Sequence, residues 1–157
     1  CFVERVHEIV LSRKEILGMH DLVVHNYGPG RTMLSLHAEV PVDGSLVELH
    51  EVIDEVEHQI SDELGCSAVI HIDPIWVKDE ETQKMKKEME ADLKLMDPSL
   101  TLHDFRMVRY TGHMKLFFDI QEPYSCKIEE KELVKRLQDH VAENHPGVEL
   151  VVYVDRF

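Results

Sequence analysis

Hydrophobic positions along this chain follow two periods, near 3.6 and 2, and the periods alternate in the same order in both halves. Val3, Val6, Val10 and Leu17 mark one face of a first helix, which Gly18 is expected to stop as a left-handed C′ residue. Leu22-Val23-Val24 and Met33 to Val40 read as strands joined through Tyr27-Gly28-Pro29-Gly30, hence an antiparallel hairpin. In its second strand Leu34, Leu36, Ala38 and Val40 take one face and Ser35, His37 and Glu39 the other, the alternation of a half-buried strand. Ser45 and Glu48 form a capping box that opens a helix with an apolar face of Leu46, Leu49, Ile53, Val56, Ile60 and Leu64, closed by Gly65. Ala68 to Asp73 is a third strand, with Ala68, Ile70 and Ile72 inward, Val69, His71 and Asp73 outward, and Pro74 as its end. A strand, helix, strand run of this length favours a right-handed crossover.

Lys78 to Glu81 is a charged joint, after which the pattern returns. Met85, Met89, Leu93 and Met96 form a helix face that ends before Pro98, and a methionine stripe at this spacing reads as core. Leu102 to Tyr110 and Met114 to Gln121 are strands, and a helix around Glu129 to Glu143 turns Leu133, Leu137 and Val141 inward. Asn144-His145-Pro146-Gly147 stops it, and Val148 to Asp155 is the last strand. Pro41 matches Pro123, His71 matches Tyr153 and Asp73 matches Asp155, each 82 residues apart, whereas His20 and His103 are 83 apart. The single-residue difference falls most simply in the turns around Gly28-Pro29-Gly30 and Thr111-Gly112. The chain is therefore an α+β protein of two tandem α-β-β-α-β modules, 1–78 and 79–157, each small enough to gain by packing on a partner.

Charge narrows the function. The formal net charge of −14 would repel a phosphate backbone, so nucleic acid is an unsuitable partner and a cation a natural one. Cys1, Cys66 and Cys126 lie far apart with no C-x-x-C, which argues for a reducing compartment and against a disulfide framework or a cysteine zinc knuckle. Cys66 and Cys126 read as small buried or half-buried residues. No run of 18 apolar residues and no signal peptide is present, so the chain as given is expected to be soluble. It starts without Met, already inside a helical pattern, as a segment of a longer protein would.

Candidate chemistry lies in the first module. His37 projects from the polar face of its strand, and His71 and Asp73 from the polar face of theirs, so neighbouring strands would present all three on one surface. His20 opens the first strand beside that surface, and His50 lies at the start of the second helix. Any one of these alone is more often a solvated or capping residue in a chain with 11 histidines; the shared facing of three is what favours a site. Neutral imidazoles with a carboxylate suit a borderline divalent ion such as Zn²⁺, held at about 2.0–2.2 Å. Five donors exceed one tetrahedral ion, and a bridging Asp73 would serve two metals roughly 3.5–4 Å apart. His7, His25, His58, His140 and His145 read as solvated or near-surface side chains, with His113 ambiguous beside its turn.

His20-Asp21-Leu22, Leu36-His37-Ala38-Glu39, the helix with Glu48-Leu49-His50 and Val56-Glu57, and Ile70-His71-Ile72-Asp73-Pro74 together resemble the cytoplasmic C-terminal domain of the cation diffusion facilitator family of metal transporters. The resemblance covers nearly all of the first module, and the second resembles a further such domain appended in some members. It implies a ferredoxin-like, copper-chaperone-like fold that dimerises beneath an N-terminal membrane domain on the cytoplasmic face of the cell membrane. It also implies that His20, His37, His50, His71 and Asp73 are the cytoplasmic metal ligands, for Zn²⁺ above all, with Mn²⁺, Co²⁺, Fe²⁺ or Cd²⁺ as alternatives. At matching positions the second module has His103, Asp119, Glu132, Tyr153 and Asp155, a harder, oxygen-rich set that would hold a weaker site or none. The function implied is regulation of a divalent-metal efflux transporter, with no catalysis: metal cancels charge between acidic lobes and stabilises a closed homodimer. One rival reading is a ferredoxin-like regulator that binds a small molecule, its histidines incidental. Another is a metal hydrolase, for which no residue stands out as the base.

Overall fold

Helix α1 (Phe2–Leu11) turns Val6, Ile9 and Val10 into a core shared with Leu34, Leu36 and Ala38 of the sheet. The computed structural model describes residues 1–157, and they separate into two units, Cys1–Ile75 and Trp76–Phe157. α1 ends well before Leu17, because the Ser12 hydroxyl donates back to the Ile9 carbonyl (2.7 Å) and the Ile16 amide closes a turn on Arg13 (3.1 Å). Ile16 is the buried residue of that turn, while Leu17 is exposed and its amide donates to the Glu39 carbonyl. Gly18 is accordingly no helix cap but the first residue of strand β1 (Gly18–Asn26).

β1 pairs antiparallel with β2 (Thr32–Pro41), and β2 pairs parallel with β3 (Ser67–Ile75), in the order β1-β2-β3. The parallel pair is joined by α2 (Leu46–Leu64), whose first turn is capped by Ser45 Oγ accepting from the Glu48 amide (3.4 Å). Gly65 closes it at φ 63°, donating to the Ser61 carbonyl. Glu57 Oε1 accepts from the Ile70 amide (2.7 Å) and ties α2 to β3. Pro74 does not end β3, which continues to Ile75; it sits on an edge strand, where a missing amide costs no ladder bond. Both helices feed one core on one face of the sheet, leaving the other face to Ser35, His37, Val69 and His71.

A bulge shapes β1. Met19 and Leu22 both pack on the core although they are three residues apart, and the register shifts between His20 and Val23. Asp21 absorbs the extra residue at φ 53°, a left-handed conformation that Asp tolerates better than most.

The second unit repeats this plan with α3 (Glu80–Met96), β4 (Thr101–Tyr110), β5 (His113–Glu122), α4 (Glu130–Asn144) and β6 (Val148–Arg156), strand order β4-β5-β6. Asp104 sits at φ 52° in the matching bulge, between Leu102 and Phe105 of the core. Met85, Met89 and Leu93 of α3 and Leu133, Leu137 and Val141 of α4 bury themselves against Met107, Leu116, Phe118 and Ile120, so the methionine stripe is core as expected. Asp79 caps α3, accepting from the Thr82 amide (3.2 Å) and hydroxyl (2.6 Å), and Arg109 holds Asp79 while lying over the Trp76 ring. The hairpins differ as the spacing predicts, Gly28-Pro29-Gly30 standing against Thr111-Gly112 between paired residues. Each unit is thus a three-stranded sheet with two helices, consistent with a ferredoxin-like α+β fold. No helix is long and apolar enough to cross a membrane.

Candidate metal centre

Register, more than sequence proximity, assembles the site. His20 pairs with His37 and His37 with His71, so three imidazoles lie in one row across β1, β2 and β3. In the next row Gly18 pairs with Glu39 and Glu39 with Asp73, which sets two carboxylates beside the imidazoles on the same face.

Asp73 is the hub. Its side chain is 4% exposed, and its Oδ2 lies 3.1 Å from His20 Nε2 and 3.0 Å from His37 Nδ1, while Oδ1 lies 3.3 Å from His71 Nε2. The His20 and His37 ring centroids are 5.1 Å apart, and those of His37 and His71 4.8 Å. A tetrahedral ion held at about 2.0–2.2 Å would separate its donors by roughly 3.3–3.6 Å. The observed carboxylate–imidazole separations of 3.0–3.3 Å are close to that; the ligand atoms of His37, His71 and Asp73 all lie within 4.8 Å of one another, and those of His20, Asp21 and His37 form a second such group. The donor chemistry fits too, since nitrogen with one carboxylate is the ligand set of a borderline ion. Exposure rises across the row, from His20 at 14% through His37 at 37% to His71 at 68%, so the centre is open on the β3 side.

Glu39 fixes the orientation of His20. Its side chain is wholly buried, and its Oε1 lies 2.9 Å from His20 Nδ1, which leaves Nε2 facing Asp73. A carboxylate behind a ligating imidazole sets its tautomer and raises its basicity. Burial works against charge on His20, but the bond to Glu39, with the charges of Glu39, Asp73 and Asp21, outweighs it and raises the imidazole above its usual value. Gly18 makes this possible, because a Cβ there would meet Glu39 Oε2 at 2.6 Å. From sequence alone Glu39 shows only its place on the polar face; its signal is its spacing, two residues from His37 on a strand whose other face is core.

The remaining expected ligands stand apart. His50 is exposed on the first turns of α2 and joins none of the groups of close ligand atoms. In the second unit the matching rows are Thr101, Gln121 and Asp155, and His103, Asp119 and Tyr153. There His103 Nε2 lies 3.0 Å from the Thr101 hydroxyl, Glu132 pairs with Arg136 along α4, and Asp155 is exposed. His140 and His145, read from sequence as solvated, instead engage Asp92 and Glu88 (2.8 and 2.7 Å). Cys66 and Cys126 are buried, as expected, and burial pushes both thiols up.

The first unit is similar to known proteins. Residues 2–75 match the family model of the cytoplasmic domain of cation efflux proteins. An uncharacterized transporter of Methanocaldococcus jannaschii is 32% identical over 73 residues, 46% of this chain and 25% of the relative. The chain thus spans about a quarter of that relative's length. A solved structure described as a zinc transporter, CzrB, is 33% identical, covers 46% of this chain and 90% of its own, and superposes with a TM-score of 0.43. The matched residues 2–75 contain the whole imidazole row and its buried carboxylates, and the first unit carries the cytoplasmic domain of the cation efflux protein family.

Proposed function

We propose that the open sheet face of the first unit binds a divalent metal, zinc best of all, and that this binding regulates a divalent-metal efflux transporter of which the chain is the cytoplasmic part. The observation that carries the reading is Asp73, a buried carboxylate with three imidazole nitrogens within 3.3 Å. A buried carboxylate needs compensation, and imidazoles at this spacing supply it either as protonated partners or through a shared cation. Imidazole nitrogens with one carboxylate suit zinc over harder ions. Asp73, with both oxygens engaged, is suited to bridge two ions.

The ligands drive regulation through charge. The chain carries −14 at neutral pH, so two copies repel until cations neutralise the acidic faces; metal then shifts the population toward a closed homodimer that the membrane domain senses. His50, exposed and outside the row, joins such a site only when copies come together. Calorimetry with Zn²⁺ on the chain and its His71→Ala variant, paired with sedimentation at matched metal concentrations, tests both halves. Tight binding that weakens at least tenfold in the variant, with zinc-dependent dimerisation lost in parallel, is the expected result. Equal affinity in the two proteins would end the metal reading, and zinc binding with no change in association would end the dimer reading.

A further inference from the structure

A second cluster lies between the helices of the second unit. Glu88 and Asp92 are four residues apart on α3 and so share a face. His140 on α4 brings Nε2 to 2.8 Å from Asp92 Oδ2 and 3.7 Å from Glu88 Oε1, and His145, at the end of α4, brings Nε2 to 2.7 Å from the same Glu88 oxygen. His140 Nε2 and Asp92 Oδ2 are both cut off from solvent, yet neither has a partner in hydrogen-bonding geometry. Two such atoms facing one another misaligned are costly unless something between them takes both lone pairs.

The repeat shows that this polar seam is not what the fold requires. Val6 and Val10 of α1 match Met89 and Leu93 of α3, 83 residues on, the same interval as His20 to His103. Asp92 then occupies the position of Ile9, which is 1% exposed in the core of the first unit. Arg5, which pairs with Glu63 across the first unit's helices, is replaced by Glu88. An apolar contact and a salt bridge in one unit have become two carboxylates and two imidazoles in the other.

We propose that Glu88, Asp92, His140 and His145 form a second divalent-metal site, independent of the sheet centre and harder in character. The Glu88, Asp92 and His140 ligand atoms lie within 4.8 Å of one another, and two carboxylates with two imidazoles suit Zn²⁺ or Mn²⁺ more than a soft ion. Clamping α3 to α4, the ion would stiffen the unit that lacks the imidazole row.

Zinc is the probe, measured by equilibrium dialysis of the full chain carrying His37→Ala and His71→Ala, which remove the sheet ligands. About one ion per chain should remain bound there, and adding Asp92→Ile or His140→Gln should weaken it at least tenfold. Asp92→Ile is chosen because isoleucine is native at the matching place, so its melting temperature without zinc should equal or exceed that of its parent. Unchanged zinc binding after Asp92→Ile overturns the site, as does a parent that binds no zinc while remaining folded by circular dichroism. If the parent is unfolded, the wild-type chain and Asp92→Ile alone decide: the bound stoichiometry falls by one or the site does not exist. The sheet reading fails by a different result, equal binding with and without His37 and His71.

Discussion

The two sheets place the same six positions side by side and fill them differently. In the first unit one row is Gly18, Glu39, Asp73 and the next His20, His37, His71; in the second the rows are Thr101, Gln121, Asp155 and His103, Asp119, Tyr153. The bulge that aims the first-strand histidine is kept in both, with Asp21 and Asp104 at nearly equal φ of 53° and 52°. Scaffold and candidate ligand set are therefore separable. What distinguishes the first sheet is a buried carboxylate pair, Glu39 and Asp73, around which imidazoles gather, and a glycine that leaves room for one of them. In the second, Thr101 occupies the glycine's position and its hydroxyl engages His103, while Asp155 faces solvent.

The comparison breaks first at Asp73. Asp73→Asn removes the charge that three imidazoles share, and zinc affinity by calorimetry should fall more than about 100-fold, beyond the 10–100-fold typical of an outer-shell partner. A fall of less than tenfold would mean that the imidazoles hold the ion without it. Gly18→Thr makes the first row resemble the second. Its Cβ would meet Glu39 Oε2 at 2.6 Å, so Glu39 must move and release His20. The expected loss is about 10–100-fold in zinc affinity, with roughly 1–3 kcal/mol of stability in urea melts.

A third test uses pH on metal-free protein. His20 is raised in the folded state, so its contribution to stability is fully present below about 6.5, the unfolded value, and is lost as pH rises through the higher folded value. The stability gap between wild type and His20→Gln should therefore shrink from pH 6 toward pH 8, whereas the same titration makes zinc bind more weakly as pH falls. A gap that is constant with pH would detach His20 from Glu39. The smallest effect belongs to residues outside the rows: His50→Ala should alter zinc affinity of the dilute, monomeric chain by less than about threefold, as should Glu132→Gln. A large loss from either would place it among the intrachain ligands.

Much of this was legible beforehand. Alternation along β2 and β3 put His37, His71 and Asp73 on one face, because side chains in a strand alternate with a period of two. The long repeat predicted two like modules and located their one-residue difference in the hairpins. Helix ends were harder. Leu17 continued an apolar spacing that the Ser12 and Arg13 turn interrupts, and Pro74 looked like a terminator because sequence alone does not reveal an edge strand. His140 and His145 looked solvated because their partners, Glu88 and Asp92, lie on another helix some 50 residues away.

The chain by itself determined the order of elements, the facing of the central strand residues, the acidic character and the family resemblance, since each depends on local periodicity or on residue identity. Tertiary structure decided which faces meet. Register placed Glu39 behind His20, the bulge at Asp21 turned His20 toward Asp73, and packing of α3 against α4 joined carboxylates to imidazoles. These depend on contacts between distant segments, and a shift of one residue in register would have sent the same side chains to the opposite face.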